Sequence, residues 1–576
     1  YIDMDGVKMT EQQLYEVWCK KAKDDASVLK ELQEIENDND AIYERFYKNL
    51  EFGTGGMRGE MGAGTNRMNI YTVSKIAQAM AEHINSITKH GSAVICYDSR
   101  NNSTLFAERT AKVMAANGVK AYIFKELAPT PVLSYAVRYL KCNAGAMITA
   151  SHNPAKYNGF KAYGADGCQL GLEESQHIMD IIDTLDIFDS VKCGDFEEFM
   201  KSGMIEYVKE DLFDSYYKCV LDCMVNKNAI KDADLSVIYT PLNGTGNVPV
   251  RKALTMAGVK DLRVVPEQEN PDGNFPTTPF PNPEFRESFE CAIKMAKGRP
   301  ADILLATDPD CDRVGAAVKA GDDYTLLNGD EMGIIMLDYI LKNRPAGLKK
   351  PVCVKTIVTS RMTDKVAQKY GCEVIDVLTG FKFIGEQIAL LESKGDADRY
   401  VLGFEESYGY LPGTYVRDKD AVVAALLLSE IAAVLKKEGR TLADYMDELY
   451  KEYGYYTKLL INSYFEGSKG MSQMKEIMDN LRENPPSQIN GTNVVSMSDY
   501  LTGVCTENGN TKKLTLPKSD VLAYRLIDGA DVIIRPSGTE PKIKVYIISV
   551  SADRETSRIE AEKLSDYMNK LLARKH

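Results

Sequence analysis

Three aspartates at alternate positions, Asp308, Asp310 and Asp312, share one short loop, Thr307-Asp308-Pro309-Asp310-Cys311-Asp312-Arg313. Carboxylates this close repel one another unless a cation sits among them, and hard oxygen ligands favour Mg²⁺ or a similar ion. An EF-hand is excluded, because Arg313 stands where that loop needs glycine and Lys319 where it needs glutamate. A second loop, Thr149-Ala150-Ser151-His152-Asn153-Pro154, follows the apolar run 144–148, and Asn-Pro breaks the chain there. That puts Ser151 just past the C-terminal end of a strand, where open α/β sheets bind ligands. Ser151 can act as a nucleophile or a phosphate carrier. Phosphorylated, with a charge of about −1.5 to −2, it would complete the coordination of a metal held by the three aspartates. The Ser151-His152 pair looks like a hydrolase pair only superficially. The G-x-S-x-G elbow is missing, and neighbours at a strand end are expected to point in different directions.

Other loops offer complementary chemistry. Arg535-Pro536-Ser537-Gly538-Thr539 brings a guanidinium, two hydroxyls and glycine-permitted backbone donors into one turn, a combination suited to a dianionic phosphate. Glu405-Glu406-Ser407 combines acceptors with a hydroxyl, as sugar hydroxyls require; acid/base work is the rival role. Gly53-Thr54-Gly55-Gly56-Met57-Arg58-Gly59 reads as a glycine-rich loop whose N–H groups approach an anion that Arg58 clamps. It matches neither the dinucleotide fingerprint nor a Walker loop. Lys161 is placed to neutralise a transferred phosphate or to shuttle a proton.

These loops need strands to position them, and the strand pattern repeats three times. Apolar runs at 93–97, 119–124 and 143–148 lead to the serine loop; runs at 235–239, 262–265 and 302–306 lead to the aspartate loop. Runs at 351–357, 373–377 and 400–403 lead to Glu405-Glu406-Ser407, with Thr379-Gly380 following the middle one. Each unit delivers its most polar loop after its third strand, as three α/β sandwiches facing one cleft would. Residues 8–50 read as helices. From about 441 the character changes to a smaller α+β domain, with a helix at 442–453, a polar stretch with turn signals at 487–516, two strands around Arg535 and a final charged helix. The expected domains are 1–205, 206–325, 326–440 and 441–576.

Composition sets the outer bounds. The 576 residues exceed one core, and a net charge of −13 argues against nucleic acid as a partner. Twelve cysteines without a C-x-x-C pair, and only five histidines, are neither a zinc framework nor a disulfide scaffold. The cysteines read as small core hydrophobes of a reducing compartment. The longest apolar run, 421–435, is too short to span a bilayer. The expectation is a cytoplasmic protein with no membrane contact. Tyr1, where an initiating Met is absent, suggests a trimmed or incomplete start.

The serine, aspartate, Glu405 and Arg535 loops, in this order, resemble those of the α-D-phosphohexomutase superfamily, and the resemblance runs from residue 52 almost to the end of the chain. The N-terminal helical lead, Thr379-Gly380-Phe381-Lys382 and Glu405-Glu406-Ser407-Tyr408-Gly409 are most similar to the bacterial phosphoglucomutase branch shared with animal type-2 phosphoglucomutase/phosphopentomutases. Asn243, where relatives often have His, departs from the pattern outside the four loops. The resemblance implies four domains around a central cleft, three similar α/β sandwiches with mixed sheets and a smaller C-terminal α+β lid. It implies an isomerase that interconverts glucose 1-phosphate and glucose 6-phosphate through a phosphoserine at Ser151 and a glucose 1,6-bisphosphate intermediate. By the same resemblance Ser151, Asp308, Asp310 and Asp312 ligate Mg²⁺; Arg58 and Lys161 flank the transferring group; and His152 is a candidate proton shuttle. Thr379, Gly380, Glu405 and Ser407 contact the sugar, while Arg535, Ser537, Gly538 and Thr539 hold the non-reacting phosphate. Mannose or pentose phosphates would use the same loops. An aspartyl-nucleophile phosphatase, with Asp308 as carrier, and a non-catalytic phosphosugar-binding protein are the other readings. The expected state is a monomer or a small homo-oligomer.

Overall fold

One sheet topology is laid down three times in succession in the computed structural model, which describes residues 9–53, 55–465, 470–537 and 542–573. The first sheet contains β1 (Gly56–Glu60), β2 (Ser92–Tyr97), β3 (Lys120–Ile123), β4 (Ala144–Ile148), β5 (Tyr157–Gly164) and β6 (Ile205–Tyr207), in the order β1-β5-β4-β2-β3-β6. The second contains β7 (Ser236–Thr240), β8 (Asp261–Val264), β9 (Ile303–Thr307), β10 (Val314–Ala320) and β11 (Asp323–Leu327), ordered β11-β10-β9-β7-β8. The third contains β12 (Val352–Thr356), β13 (Glu373–Val377), β14 (Tyr400–Glu405) and β15 (Gly409–Leu411), ordered β13-β12-β14-β15.

In every case one strand, β2, β7 or β12, lies between two parallel neighbours, and another, β5, β10 or β15, returns antiparallel against β4, β9 or β14. Strands β4, β9 and β14 are buried along their whole length, which explains why they read as unbroken apolar runs. The connection from each of them to its antiparallel neighbour therefore falls at the same place three times. It carries Ser151, the three aspartates and Glu406-Ser407 respectively.

The glycine-rich stretch differs from its expectation as a loop. From Gly56 onward it is an edge strand, β1, antiparallel to β5 with Arg58 opposite Gly159. A Cβ on Gly56 would stand 2.3 Å from the Phe160 carbonyl oxygen. Glycine there serves the close approach of two strands rather than an anion.

The C-terminal domain is one antiparallel sheet of β16 (Tyr455–Tyr464), β17 (Gln488–Ile489), β18 (Thr492–Asp499), β19 (Val504–Glu507), β20 (Asn510–Lys513), β21 (Leu522–Leu526), β22 (Asp531–Pro536) and β23 (Lys542–Ser551), ordered β16-β23-β22-β21-β18-β19-β20 with β17 beside β18. Four of these strands occupy the stretch that the sequence marks only by its turn signals. An apolar seam of Val358 and Leu378 with Tyr500, Val521, Ile533 and Tyr546 joins this domain to the third unit.

Two helical features complete the frame. Glu11–Lys21, Ala26–Glu34 and Asn39–Phe46 start at Thr10, Asp25 and Asp38, each of which caps a backbone N–H. They pack onto the first unit through Trp18, fully buried and edge-on to Phe46, Tyr71 and Phe188. The apolar helix Ala421–Lys437 is buried on nearly every side in a core shared by the three sheets, hence its all-round hydrophobicity. Among the described residues no helix is long and apolar enough to cross a membrane.

Candidate active site

Ser151 sits at φ 52°, in the left-handed region, and its loop is held from beneath by a buried arginine. The Arg100 guanidinium donates to the carbonyls of Ser151 at 2.6 Å, Pro154 at 2.9 Å and Tyr157 at 3.0 Å, and also to that of Asn153. Asp98 anchors the same loop by accepting from the Thr149 hydroxyl at 2.6 Å and the Arg100 N–H at 2.9 Å. A guanidinium spent on carbonyls fixes a backbone that would otherwise be strained at a non-glycine residue. His152 Nδ1 lies 3.3 Å from Ser151 Oγ. The expectation that the two side chains diverge fails because strand alternation has already ended at the left-handed Ser151.

Ser151 Oγ donates to Asp308 Oδ2 at 2.8 Å. Asp308, Asp310 and Asp312 are fully buried, each offering a carboxylate oxygen within 4.8 Å of the others. Asp308 Oδ1 accepts the N–H groups of Asp312 and Arg313 at 3.1 and 3.0 Å. Lys161, on β5, reaches Asp310 at 2.7 Å and Asp312 at 3.1 Å; Lys419 reaches Asp312 at 2.9 Å. Thr130 donates to Asp310 with both its N–H and its hydroxyl.

Burial and the neighbouring carboxylates push the Asp308 carboxyl well above the usual range. Burial acts the same way on Asp310, but Lys161 outweighs it and holds that carboxyl below the usual range. Asp310 Oδ1 and Asp312 Oδ1 are buried without a hydrogen-bond partner. Orphaned anionic oxygens in a closed carboxylate cluster are a donor set that a hard divalent cation satisfies. The residues fit a metal.

These groups meet in an open cleft of about 600 Å³ to which all four domains contribute. Ser151, His152, Arg58 and Lys161 line it from the first unit, with Arg58 Nη1 donating to Asn153 Oδ1 at 3.1 Å. Asp312 lines it from the second, while Asp308 and Asp310 lie behind. Thr379, Gly380, Glu405 and Ser407 line it from the third. Glu405 Oε1 accepts the Gly380 N–H at 2.9 Å, which ties two loops together, and Gly380 has φ 119°, a conformation side-chain-bearing residues avoid.

Arg535, Lys544 and Lys458 line the cleft from the C-terminal sheet, with Arg535 directly opposite Lys544 in register. Burial and the charges of Lys542 and Arg535 push the Lys544 ammonium down, as expected of like charges crowded together. Ser537 N–H donates to the Lys542 carbonyl at 2.7 Å. Gly538 and Thr539 lie outside the described residues. His152 is pushed well below its usual range by burial and by Arg313 and Arg58.

Sequence reading missed Arg100, Thr130, Lys419 and Lys544. The first three sit in short polar stretches beside apolar ones, Asp98-Ser99-Arg100, Pro129-Thr130 and Arg417-Asp418-Lys419-Asp420. That is a usable signal. Lys544 sits in an alternating strand, where only register with Arg535 reveals it.

Models of the phosphoglucomutase/phosphomannomutase family match the chain in four consecutive parts: α/β/α domain I over residues 49–187, domain II over 214–321, domain III over 328–453 and the C-terminal domain over 460–564. A phosphoglucomutase of Staphylococcus saprophyticus is 36% identical over 550 residues, spanning 92% of this chain and 99% of the relative. One from Staphylococcus aureus is 36% identical over 535 residues, spanning 92% and 95%. Among solved structures, the open form of parafusin, a Paramecium phosphoglucomutase, superposes with a TM-score of 0.67 at 16% identity over 91% of this chain and 94% of its own. A Burkholderia thailandensis protein of the phosphoglucomutase/phosphomannomutase family gives 0.63 at 17% identity over 90% and 96%. At such identities these two likenesses concern the fold.

Proposed function

The chain belongs to the phosphoglucomutase/phosphomannomutase family, and on that premise we propose that it interconverts α-D-glucose 1-phosphate and glucose 6-phosphate, with Ser151 as the phosphate carrier. The observation that carries the assignment is the position of Ser151 Oγ. It opens on the cleft, 2.8 Å from Asp308, with the Arg535–Lys544 cation pair lining the same cleft. A sugar phosphate has to be held by one end while the other reacts, and two separate anion-binding groups in one cleft do that.

In this reading phosphorylated Ser151 gives its phosphoryl group to the free O1 or O6. The Ser151 Oγ–P bond breaks, a sugar O–P bond forms, and the sugar hydroxyl proton passes to a base in the cleft, for which His152 is a candidate shuttle. Glucose 1,6-bisphosphate turns over within the cleft, and Ser151 Oγ takes the other phosphoryl group, releasing the isomer. Lys161, kept protonated by Asp310 and Asp312, and Arg58 balance charge on the transferring group. Glu405, Ser407, Thr379 and Gly380 receive the sugar, and Arg535 with Ser537 receives the idle phosphate. Asp308, Asp310, Asp312 and a Ser151 phosphate oxygen would hold Mg²⁺, which supplies positive charge to the transition state.

The alternative carrier, Asp308, is disfavoured by its setting. It lies behind the cleft, and both its oxygens are engaged. The test is intact mass before and after glucose 1,6-bisphosphate, with peptide mapping and a parallel glucose 1-phosphate assay. Phosphate on Ser151 with turnover supports the reading; phosphate on Asp308, or neither phosphate nor turnover, overturns it. The ratio of kcat/KM across glucose, mannose and ribose phosphates decides the sugar.

A further inference from the structure

Behind the strand that carries Arg58 lies a second cavity, of about 490 Å³. Residues alternate faces along β1, so Arg58 looks into the cleft while Met57 looks the other way and walls this cavity. Phe52, Ile76, Met179, Ile182 and Ile187 make most of the remaining wall, drawn from the segment before β1, the helix Ile70–Ile87 and the helix Leu172–Thr184 with its following loop. A volume of this order accommodates a drug-sized molecule.

Of the polar groups around the cavity, Asn49 is exposed. Thr65 and Thr72 donate their hydroxyls to main-chain carbonyls, and Glu51 faces Lys48 at 3.8 Å. Asp183 is exposed. Lys75 is drawn partly out of solvent, and among the described residues no hydrogen bond or ion pair engages its ammonium. Burial pushes that ammonium down, against a partial pull from Asp183 and Asp186. A half-exposed ammonium without a partner, at the rim of an apolar wall, is a place where the charged end of an incoming anion finds a charge-assisted hydrogen bond.

We propose that this cavity is a second ligand site, separate from the catalytic cleft, which takes an apolar molecule bearing one carboxylate, with the carboxylate on Lys75 and the apolar body against Met57, Ile76 and Ile182. The site lies on the reverse face of the strand that presents Arg58.

The test is calorimetric titration of the full chain with decanoate as the probe, at saturating glucose 1-phosphate so that the cations of the cleft are occupied. The expected result is saturable 1:1 binding to the unaltered protein. Lys75→Met, which keeps length but not charge, should weaken it by about tenfold or more, while Lys75→Arg should stay within about threefold. Ile182→Trp, which fills the apolar end, should also weaken it. Absence of saturable binding up to about 2 mM decanoate overturns the proposal. So does equal affinity in Lys75→Met, which would mean an anion bound elsewhere or Lys75 merely pairing with Asp183 on a small movement.

Discussion

Ser151 Oγ and Asp308 Oδ2 meet at 2.8 Å across 157 residues of sequence. Two equivalent hairpin loops, on two different sheets, place a hydroxyl against a carboxylate cluster. Replacing Ser151 by Ala removes one hydroxyl hydrogen bond, worth about 1 kcal/mol of stability, so the fold should persist with a nearly unchanged Tm. Turnover should fall by about four orders of magnitude or more, to background, because the carrier atom is gone. Coupled assay of glucose 6-phosphate formation, alongside a thermal melt, checks both halves. Substantial residual turnover would contradict the carrier role.

Lys161 neutralises Asp310 and Asp312 from inside the protein. Lys161→Met leaves those carboxylates facing one another without the cation they share, at a cost of about 3–5 kcal/mol in metal-free protein. The same loss of positive charge should strengthen attraction for a divalent cation. Mg²⁺ titration is expected to show tighter binding and partial recovery of stability, with turnover still impaired. Weaker Mg²⁺ binding than in the unaltered protein would count against the assigned metal cluster.

The loops themselves were legible because each follows a doubly buried strand. A run such as Ile303–Thr307, entirely apolar up to its end, makes the sudden Asp-Pro-Asp that follows conspicuous. The threefold repeat was legible for the same reason. What escaped were partners that the loops acquire only after folding. Arg100 matters because four carbonyls converge on it, and none of those carbonyls leaves a trace in side-chain chemistry. Gly56 looked like a flexible loop because the strand it must approach, β5, begins some hundred residues later, beyond any local pattern. The strands in 487–516 are polar on both faces over much of their length, with β20 exposed throughout, so periodicity had little to report.

Arg535 faces the cleft beside Lys544. If this pair receives the phosphate that does not react, Arg535→Ala should raise KM for glucose 1-phosphate by about 10- to 100-fold, the loss of one charge-assisted contact. Mg²⁺ affinity should be unchanged, since the metal-type cluster lies on another domain. Isothermal titration with each ligand separates the two effects, and the reverse pattern would undo the assignment.

Glu430, fully buried in the helix Ala421–Lys437, accepts from Asn226 N–H at 2.6 Å, Tyr339 hydroxyl at 2.7 Å and Val225 N–H at 3.1 Å. It ties the central helix to both the second and third units. Glu430→Ala strands three donors and should destabilise the protein by about 3 kcal/mol. Glu430→Gln retains an acceptor oxygen and should cost roughly half as much. Equal, negligible losses in denaturant melts would show that the helix is held by its apolar contacts alone.

Asp531 joins the C-terminal domain to the third unit through a buried carboxyl whose contribution should vary with pH. It opens β22 and meets Arg361 of the third unit at 2.9 Å and Arg525 at 3.4 Å, with Lys355 and Asp376 nearby. Burial lifts its carboxyl to about 6, and Arg361 and Lys355 only partly oppose this. The folded state then binds the Asp531 proton more tightly than the unfolded chain, whose carboxyl titrates near 4. Stability from this group is fully present below about pH 4, falls as pH rises toward 6, and is level above that. A displacement of about two pH units corresponds to about 3 kcal/mol. Asp531→Asn, neutral at every pH as the protonated carboxyl is, should abolish the decline between pH 4 and 6 and leave the variant the more stable protein above pH 6. Hydrogen exchange of peptides spanning β21 and β22, corrected for intrinsic rates, reads the local opening free energy at each pH. Parallel profiles for the two proteins would mean that Asp531 remains ionised across this range, with Arg361 outweighing burial.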